Sequence, residues 1–201
     1  MQQPAQIPPP YGGLTVPTGT AEFEIEYPER LSRLLIFVKW LAIIPHLLVL
    51  WVLGIGFAIV TFIAFFAILF TGKYPRGLWD YSIMYLRWSQ NIGAYFLLMR
   101  DEYPPFAAGP YPVHLELAYP DRLSRLLIFV KWLLVIPHLF ILYFLGLAAG
   151  FVVVIAWFAI LFTGKYPRGM FDFAEGVIRW SLRVNVYTYL MTDTYPPFSL
   201  E

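Results

Sequence analysis

A tandem duplication constrains this chain more than any other feature. Residues 24–106 recur without insertion or deletion ninety-two positions later, as residues 116–198. Within them, Phe66–Gly77 returns letter for letter as Phe158–Gly169. The chain must therefore fold as two copies of one unit. The predicted boundaries are a tail at 1–21, a first repeat at 22–106, a linker at 107–113 and a second repeat at 114–201.

Composition indicates that lipid is part of the solvent. Hydrophobic residues make up 59% of the chain and charged residues 13%, whereas soluble domains are about 25% charged. The net charge of +1 gives no reason to expect a nucleic-acid partner. The chain has no cysteine, which excludes disulfides, thiolate metal sites and a cysteine nucleophile.

The N-terminal segment is of a different kind. Residues 1–21 are rich in Pro, Gln and Gly, a composition that cannot bury a core and predicts a disordered tail. The segment has no basic region followed by an apolar one, so we do not expect a cleavable signal peptide.

Each repeat begins with a short alternating segment and continues into a long apolar run. The alternation in Phe23–Tyr27 and His114–Tyr119 predicts short half-buried strands. The runs that follow, Leu34–Phe70 and Leu126–Phe162, are almost uncharged. As one helix, such a run would reach about 55 Å, well beyond the roughly 30 Å of a hydrocarbon core.

Two layouts are compatible with that length. The run is either a helical hairpin that turns near residues 54–56 and 146–150, or an interfacial segment, Arg30–Pro45, followed by one crossing helix, Leu47–Phe70. We favour the hairpin because basic residues flank each run on both sides and cytoplasmic loops collect such residues. The sequence then predicts a multi-pass membrane protein with cytoplasmic termini and parallel repeats.

A third segment of each repeat is amphipathic. Leu78–Met99 and Met170–Met191 combine polar stripes with apolar faces, a pattern typical of helices that lie on a membrane surface or cover a bundle. The fold class we predict is an all-α integral membrane protein, a tandem repeat of two helical hairpins with amphipathic interfacial helices and short strands at the repeat starts.

A polar stripe recurs inside the apolar part of both repeats. Its members are spaced by seven residues and so share a helical face: Ser32, Lys39 and His46, then Ser124, Lys131 and His138. Ionisable groups at membrane depth are candidates for ion or proton pathways, although lysine can also reach the headgroups and histidine can pack as a satisfied core residue. His46 and His138 could also serve as a pair of haem or pigment ligands.

The basic residues that flank the apolar runs suit anionic lipid headgroups or act only as orientation signals. They are Arg30, Arg33, Lys73, Arg76, Arg122, Arg125, Lys165 and Arg168. Structural ion pairs are predicted between Asp80 and Arg87 and between Asp172 and Arg179. No catalytic or metal-binding constellation is recognisable, so we expect a protein that is not an enzyme.

Five motifs occur in the same order in both repeats. In the first repeat they begin at Tyr27 (YPERLSRLL), Phe37 (FVKWLAIIPH), Phe70 (FTGKYPRG), Arg87 (RWS) and Tyr103 (YPPF). Together they resemble a bacterial membrane family catalogued as domain of unknown function 4389. The resemblance covers nearly everything after the tail and implies a small integral protein of the bacterial inner (cytoplasmic) membrane without an assigned activity.

The expected function is therefore that of a non-catalytic membrane protein. We expect an accessory or scaffold subunit that binds anionic lipid and docks with other membrane proteins, as a homo-oligomer or in a larger complex. The alternative is a small transporter or channel that uses the Ser/Lys/His stripes. A third possibility is a haem or pigment carrier with His46 and His138 as ligands.

Overall fold

A computed structural model describes residues 20–106 and 110–201. The predicted disordered tail lies outside this part except for Thr20 and Ala21, as do residues 107–109 of the predicted linker. Within the described residues, the chain is mostly helical, with six α-helices and one two-stranded sheet.

The two repeats have the same order of elements. The first contains β1 (Glu22–Ile25), a 3-10 turn (Leu35–Phe37), α1 (Lys39–Ala42), α2 (Ile44–Thr71) and α3 (Arg76–Phe96). The second contains β2 (Val113–Glu116), a 3-10 turn (Leu127–Phe129), α4 (Lys131–Leu134), α5 (Ile136–Thr163) and α6 (Arg168–Thr188).

The predicted hairpin is wrong, because each long apolar segment is one continuous helix. α2 passes through Gly54 and Gly56 without a turn, and α5 likewise passes through Gly146 and Gly150. A glycine inside a helix costs only about 1 kcal/mol, less than leaving backbone groups unbonded in apolar surroundings. Each helix has 28 residues and is about 42 Å long.

Proline and glycine set the ends of these helices. Pro45 and Pro137 stand in the first turn, where a missing N–H costs nothing. Gly72 and Gly164 end the helices with φ of 71°, a conformation that suits glycine. By length and composition both helices are able to cross a membrane, and only 17% and 6% of their most apolar stretches are buried.

The predicted strands are confirmed, and they pair with each other across the repeats. β1 and β2 are antiparallel, with Phe23 opposite Leu115 and Glu24 opposite His114. Burial alternates along both strands, so that the ribbon has one apolar inner face and one polar outer face. The ribbon therefore joins the two repeats instead of belonging to either.

Further contacts between the repeats are reciprocal. Leu31 N donates to Gly164 O at 2.8 Å, and Leu123 N donates to Gly72 O at 2.8 Å. The Tyr27 hydroxyl donates to Tyr166 O, and the equivalent Tyr119 hydroxyl donates to Tyr74 O. One hydrophobic core contains side chains of both repeats, so the two copies form a single unit with approximate two-fold symmetry.

The predicted amphipathic helices are confirmed as α3 and α6. α3 packs on α2 and β2, and α6 packs on α5 and β1. Arg87 Nε donates to Leu115 O at 3.1 Å, and the equivalent Arg179 Nε donates to Phe23 O at 2.8 Å. These arginines thus bind the backbone of the other repeat's strand.

Candidate lipid-headgroup site

Two basic clusters lie where the end of one long helix meets the entry loop of the other repeat. The Leu31–Gly164 hydrogen bond brings one set together, and the Leu123–Gly72 bond brings the other. A methyl group added at Gly164 would stand 3.5 Å from Arg33 Nε, and one at Gly72 would stand 3.5 Å from Arg125 Nε. We define the first basic cluster as Arg30, Arg33 and Lys165, and the second as Arg122, Arg125 and Lys73.

All six cations of the basic clusters are exposed. Among the described residues, none of them takes part in an ion pair. Exposed apolar side chains stand beside them: Leu34 is 79% exposed and Leu126 78%, while Phe70 and Phe162 are each 71% exposed. Unpaired cations beside exposed apolar groups match the boundary between lipid headgroups and acyl chains.

The structure gives Arg76 and Arg168 carboxylate partners. Arg76 Nε lies 3.3 Å from Asp80 Oδ1, and Arg168 Nε lies 2.9 Å from Asp172 Oδ1. Each guanidinium also stacks on a tyrosine of the other repeat, 4.6 Å from the ring centre. Their charges are partly balanced, unlike those of the basic clusters.

These contacts correct the predicted ion pairs. Asp80 pairs with Arg76 instead of Arg87, and Asp172 pairs with Arg168 instead of Arg179. A separation of four residues brings side chains together on a helix, whereas seven residues span about 10 Å. Arg179 Nη2 instead donates to Glu175 Oε1 at 2.7 Å.

Glu175 is a site residue that sequence reasoning did not single out for this role. Its side chain is buried, and Oε1 accepts a hydrogen bond from Ile25 N at 3.0 Å. It therefore links α6 to β1 as well as to Arg179. Ile83 occupies the equivalent position in the first repeat, so this link is present on one side of the two-fold only.

Lys39 and Lys131 are held in buried clamps. Lys39 Nζ lies 2.7 Å from Asp101 Oδ1 and donates to Arg100 O at 2.6 Å; Lys131 Nζ lies 2.8 Å from Asp193 Oδ1. Both lysines are 1% exposed. Burial lowers the pKa of each ammonium group, and the partner carboxylate opposes this shift.

The same carboxylates hold the serines of the predicted stripe. Asp101 Oδ2 accepts from Ser32 N at 2.5 Å, and Asp193 Oδ2 accepts from Ser124 N at 2.6 Å. Sequence reasoning missed these aspartates. In both repeats the aspartate follows the lysine at the same separation along the chain, and this recurrence was a usable signal. The serine and lysine are thus joined through a carboxylate, in a structural clamp.

The histidines of the stripe lie in aromatic boxes of their own repeats. The His46 ring stacks on Phe106 at 3.9 Å, and the His138 ring stacks on Phe198 at 3.8 Å. Trp180 Nε1 donates to His138 Nδ1 at 3.1 Å. Because each ring is enclosed by its own repeat, the structure does not bring the two histidines together around one ligand.

An open groove of about 960 Å³ covers the outer face of the ribbon. It is lined by acidic and basic side chains, among them Glu22, Glu24, Glu116, Arg168 and Arg183. Within the described ranges, no group of three or more His, Cys, Asp or Glu could hold a metal ion. The groove is a charged surface that runs along the ribbon and reaches Arg168 at the start of α6.

The fold defines a class of protein in which two long apolar helices, related by the approximate two-fold, pack with a polar two-stranded ribbon. A basic cluster stands at each end of the helix pair. The chain belongs to the family described as Domain of unknown function (DUF4389), whose model matches residues 33–108 and 125–199. The match confirms the resemblance in the sequence and its two tandem copies. No curated protein and no solved structure matches the chain.

Proposed function

We propose that this is a non-catalytic membrane protein that binds anionic lipid headgroups at its two basic clusters and acts as an accessory or scaffold subunit. One observation carries the proposal: six exposed cations without a carboxylate partner in the described residues stand beside exposed apolar side chains. Such groups are stable next to a negatively charged leaflet.

The electrostatic gain supports anionic lipid as the ligand. A basic residue near an anionic leaflet contributes about 1 kcal/mol, so one cluster of three contributes about 3 kcal/mol. The cytoplasmic leaflet carries the negative surface potential, which supports the cytoplasmic membrane of a bacterium as the location, with the basic clusters and the termini on the cytoplasmic side.

The accessory role is supported by the groove over the ribbon. Its charged outer face lies away from the apolar helices and is free for another protein, as in a homo-oligomer or a larger membrane complex. We do not propose transport, because the lysines of the stripe are buried and paired with aspartates in the clamps. We do not propose haem binding, because each histidine is enclosed in a separate aromatic box.

The headgroup proposal is tested by native mass spectrometry of the detergent-solubilised protein, titrated with short-chain phosphatidylglycerol or phosphatidylcholine. We expect wild type to retain phosphatidylglycerol preferentially. Arg30→Gln/Arg33→Gln/Lys165→Gln should lose about half of this preference, since one of two equivalent clusters remains. Neutralising both clusters should abolish it.

The matched control is Arg30→Lys/Arg33→Lys/Lys165→Arg, which keeps the charge of the first cluster and changes its chemistry. It should bind phosphatidylglycerol nearly as wild type does. Equal retention of both lipids by wild type, or an unchanged preference after both clusters are neutralised, would contradict headgroup binding. The mass of the same sample tests the accessory role, because a lone monomer in mild detergent would count against it.

A further inference from the structure

We propose that the protein is monotopic: α2 and α5 lie flat within one leaflet, and the two-fold axis stands along the membrane normal. The proposal deepens the lipid binding proposed above and rests on it. It replaces the multi-pass arrangement predicted from the sequence. The partner of the exposed apolar helix faces is then a single anionic leaflet.

The strand register locates the two-fold axis. Glu22 pairs with Glu116, the equivalent of Glu24, and Glu24 pairs with His114, the equivalent of Glu22. Phe23 faces its own equivalent, Leu115. In an antiparallel ribbon, a two-fold axis between such residues is perpendicular to the ribbon, so this axis runs from the polar outer face into the core.

The long helices run in opposite directions. The entry to α2 contacts the end of α5, since Leu31 N bonds Gly164 O at 2.8 Å and the rings of Phe37 and Trp157 are 5.1 Å apart. The mirrored contact joins Phe129 to Phe65 at 5.5 Å. Helices pointing the same way would separate such ends by about 42 Å. A two-fold axis reverses only the direction perpendicular to itself, so both helices lie mainly across it.

The molecule has a polar pole and an apolar pole along this axis. The inner face of the ribbon and the inner faces of α2 and α5 pack into one core, so their outer faces point away from each other. The ribbon's outer face carries ionisable groups. The outer helix faces carry exposed apolar side chains, among them Trp51, Val52, Ile59, Phe62, Phe151 and Val154.

If α2 and α5 crossed the membrane, the ionisable groups of the ribbon would be buried in the hydrocarbon core. If α2 and α5 were perpendicular to the bilayer, the two-fold axis would lie in the membrane plane and the ribbon would lie near mid-depth. Ionisable groups there are costly unless paired or hydrated. The groups affected would be Glu22, Glu24, Glu26, His114 and Glu116.

The basic clusters support the flat arrangement independently. They are related by the two-fold and so stand at the same height along it, one at each end of the helix pair. With that axis along the normal, the headgroups of one leaflet reach both clusters. With α2 and α5 crossing, one cluster would be on each side, which the usual asymmetry of basic residues disfavours.

Spin labelling tests the arrangement, and the absence of cysteine in the chain makes each single-cysteine variant unique. The positions follow the exposed face of α2 from end to end: Leu48, Val52, Ile55, Ile59, Phe62 and Phe66. Collision rates with oxygen and with a water-soluble nickel complex report depth in vesicles containing phosphatidylglycerol. We expect a constant shallow depth at all six positions.

A crossing helix gives another profile, in which depth increases toward Ile59 and decreases again, and this result would overturn the proposal. Strong collision with the nickel complex at all six positions would instead overturn membrane binding itself. The two failures are therefore distinguishable within one data set.

Sidedness provides a second, independent measurement. Glu29→Cys and Asp121→Cys are equivalent exposed positions beside the two basic clusters, and Glu24→Cys reports on the ribbon. A membrane-impermeant maleimide should leave all three unlabelled in intact cells and label all three after lysis. Labelling of only one of Glu29→Cys and Asp121→Cys from outside would show that the clusters lie on opposite sides.

Discussion

Replacing Asp101 by alanine removes the only carboxylate within ion-pair distance of Lys39 among the described residues. Lys39 is 1% exposed, so water cannot take the place of the lost partner. Breaking a buried pair in this way costs about 3–5 kcal/mol, because an uncompensated charge stays buried. Asp101 itself is 26% exposed, which favours the lower end, about 3 kcal/mol.

Thermal unfolding in detergent, followed by tryptophan fluorescence, measures this loss. For a chain of this size, 1 kcal/mol changes Tm by about 2–4 °C, so we expect Tm to fall by about 6–12 °C. Lys39→Met/Asp101→Ala removes both charges and fills the lysine site with an apolar side chain. The double variant should regain most of the lost stability.

The pH dependence has a defined sign. Burial holds the pKa of Lys39 in the folded chain below its usual 10.5. At a pH between the folded and the unfolded pKa of this lysine, the unfolded chain therefore binds more protons than the folded one. Stability therefore rises with pH across this window. The deficit of Asp101→Ala should shrink as pH approaches 10.5, because the folded lysine is then neutral.

Two outcomes would refute this reasoning. One is a loss below about 1 kcal/mol for Asp101→Ala, within the range of a solvated surface pair. The other is a double variant no more stable than the single one. Asp193→Ala is the internal comparison, since Lys131 has the same geometry and exposure.

Three further changes have defined outcomes in the same unfolding assay. A methyl group at Gly56 would stand 2.4 Å from Tyr81 Oη, so Gly56→Ala should cost about 1–3 kcal/mol. The double variant Gly56→Ala/Tyr81→Phe copies Ala148 and Phe173 of the second repeat. It should be more stable than Gly56→Ala alone. Gly72→Ala should cost about 1 kcal/mol because φ is 71°, whereas Gly77→Ala, with no neighbour within 4 Å, should not destabilise; equal effects would contradict the backbone argument. Glu175→Ala should cost about 2 kcal/mol by leaving Ile25 N and Arg179 Nη2 without their acceptor, and Ile83→Ala is a comparison that removes no such acceptor.

Local patterns predicted the elements well. Period-two alternation located both strands, and the amphipathic segments located α3 and α6 to within about two residues at their starts. The long apolar segments were assigned incorrectly because the basic residues on both flanks of each run favoured a hairpin, with the paired glycines as its turn. The backbone of α2 nevertheless continues as a helix through Gly54 and Gly56, where the Tyr81 hydroxyl donates to Leu53 O at 2.8 Å.

The contacts of the candidate site were harder to predict because they are long-range. The basic residues were recognised from their flanking positions, but their grouping into clusters depends on Leu31 meeting Gly164, which no local pattern contains. Lys39 and Asp101 are similarly distant along the chain. The duplication could have helped, since any residue retained in both copies at matched spacing is a candidate partner.

The exchange of strands and entry loops between the repeats has a consequence for the ancestry of the chain. A single repeat would lack a partner for its strand and a cover for its helix end, so a half-length ancestor would have folded as a homodimer about the same axis. Joining two such repeats in one chain removes the need for two molecules to meet. It also frees each half to diverge, as Glu175 and Ile83 at one matched position illustrate.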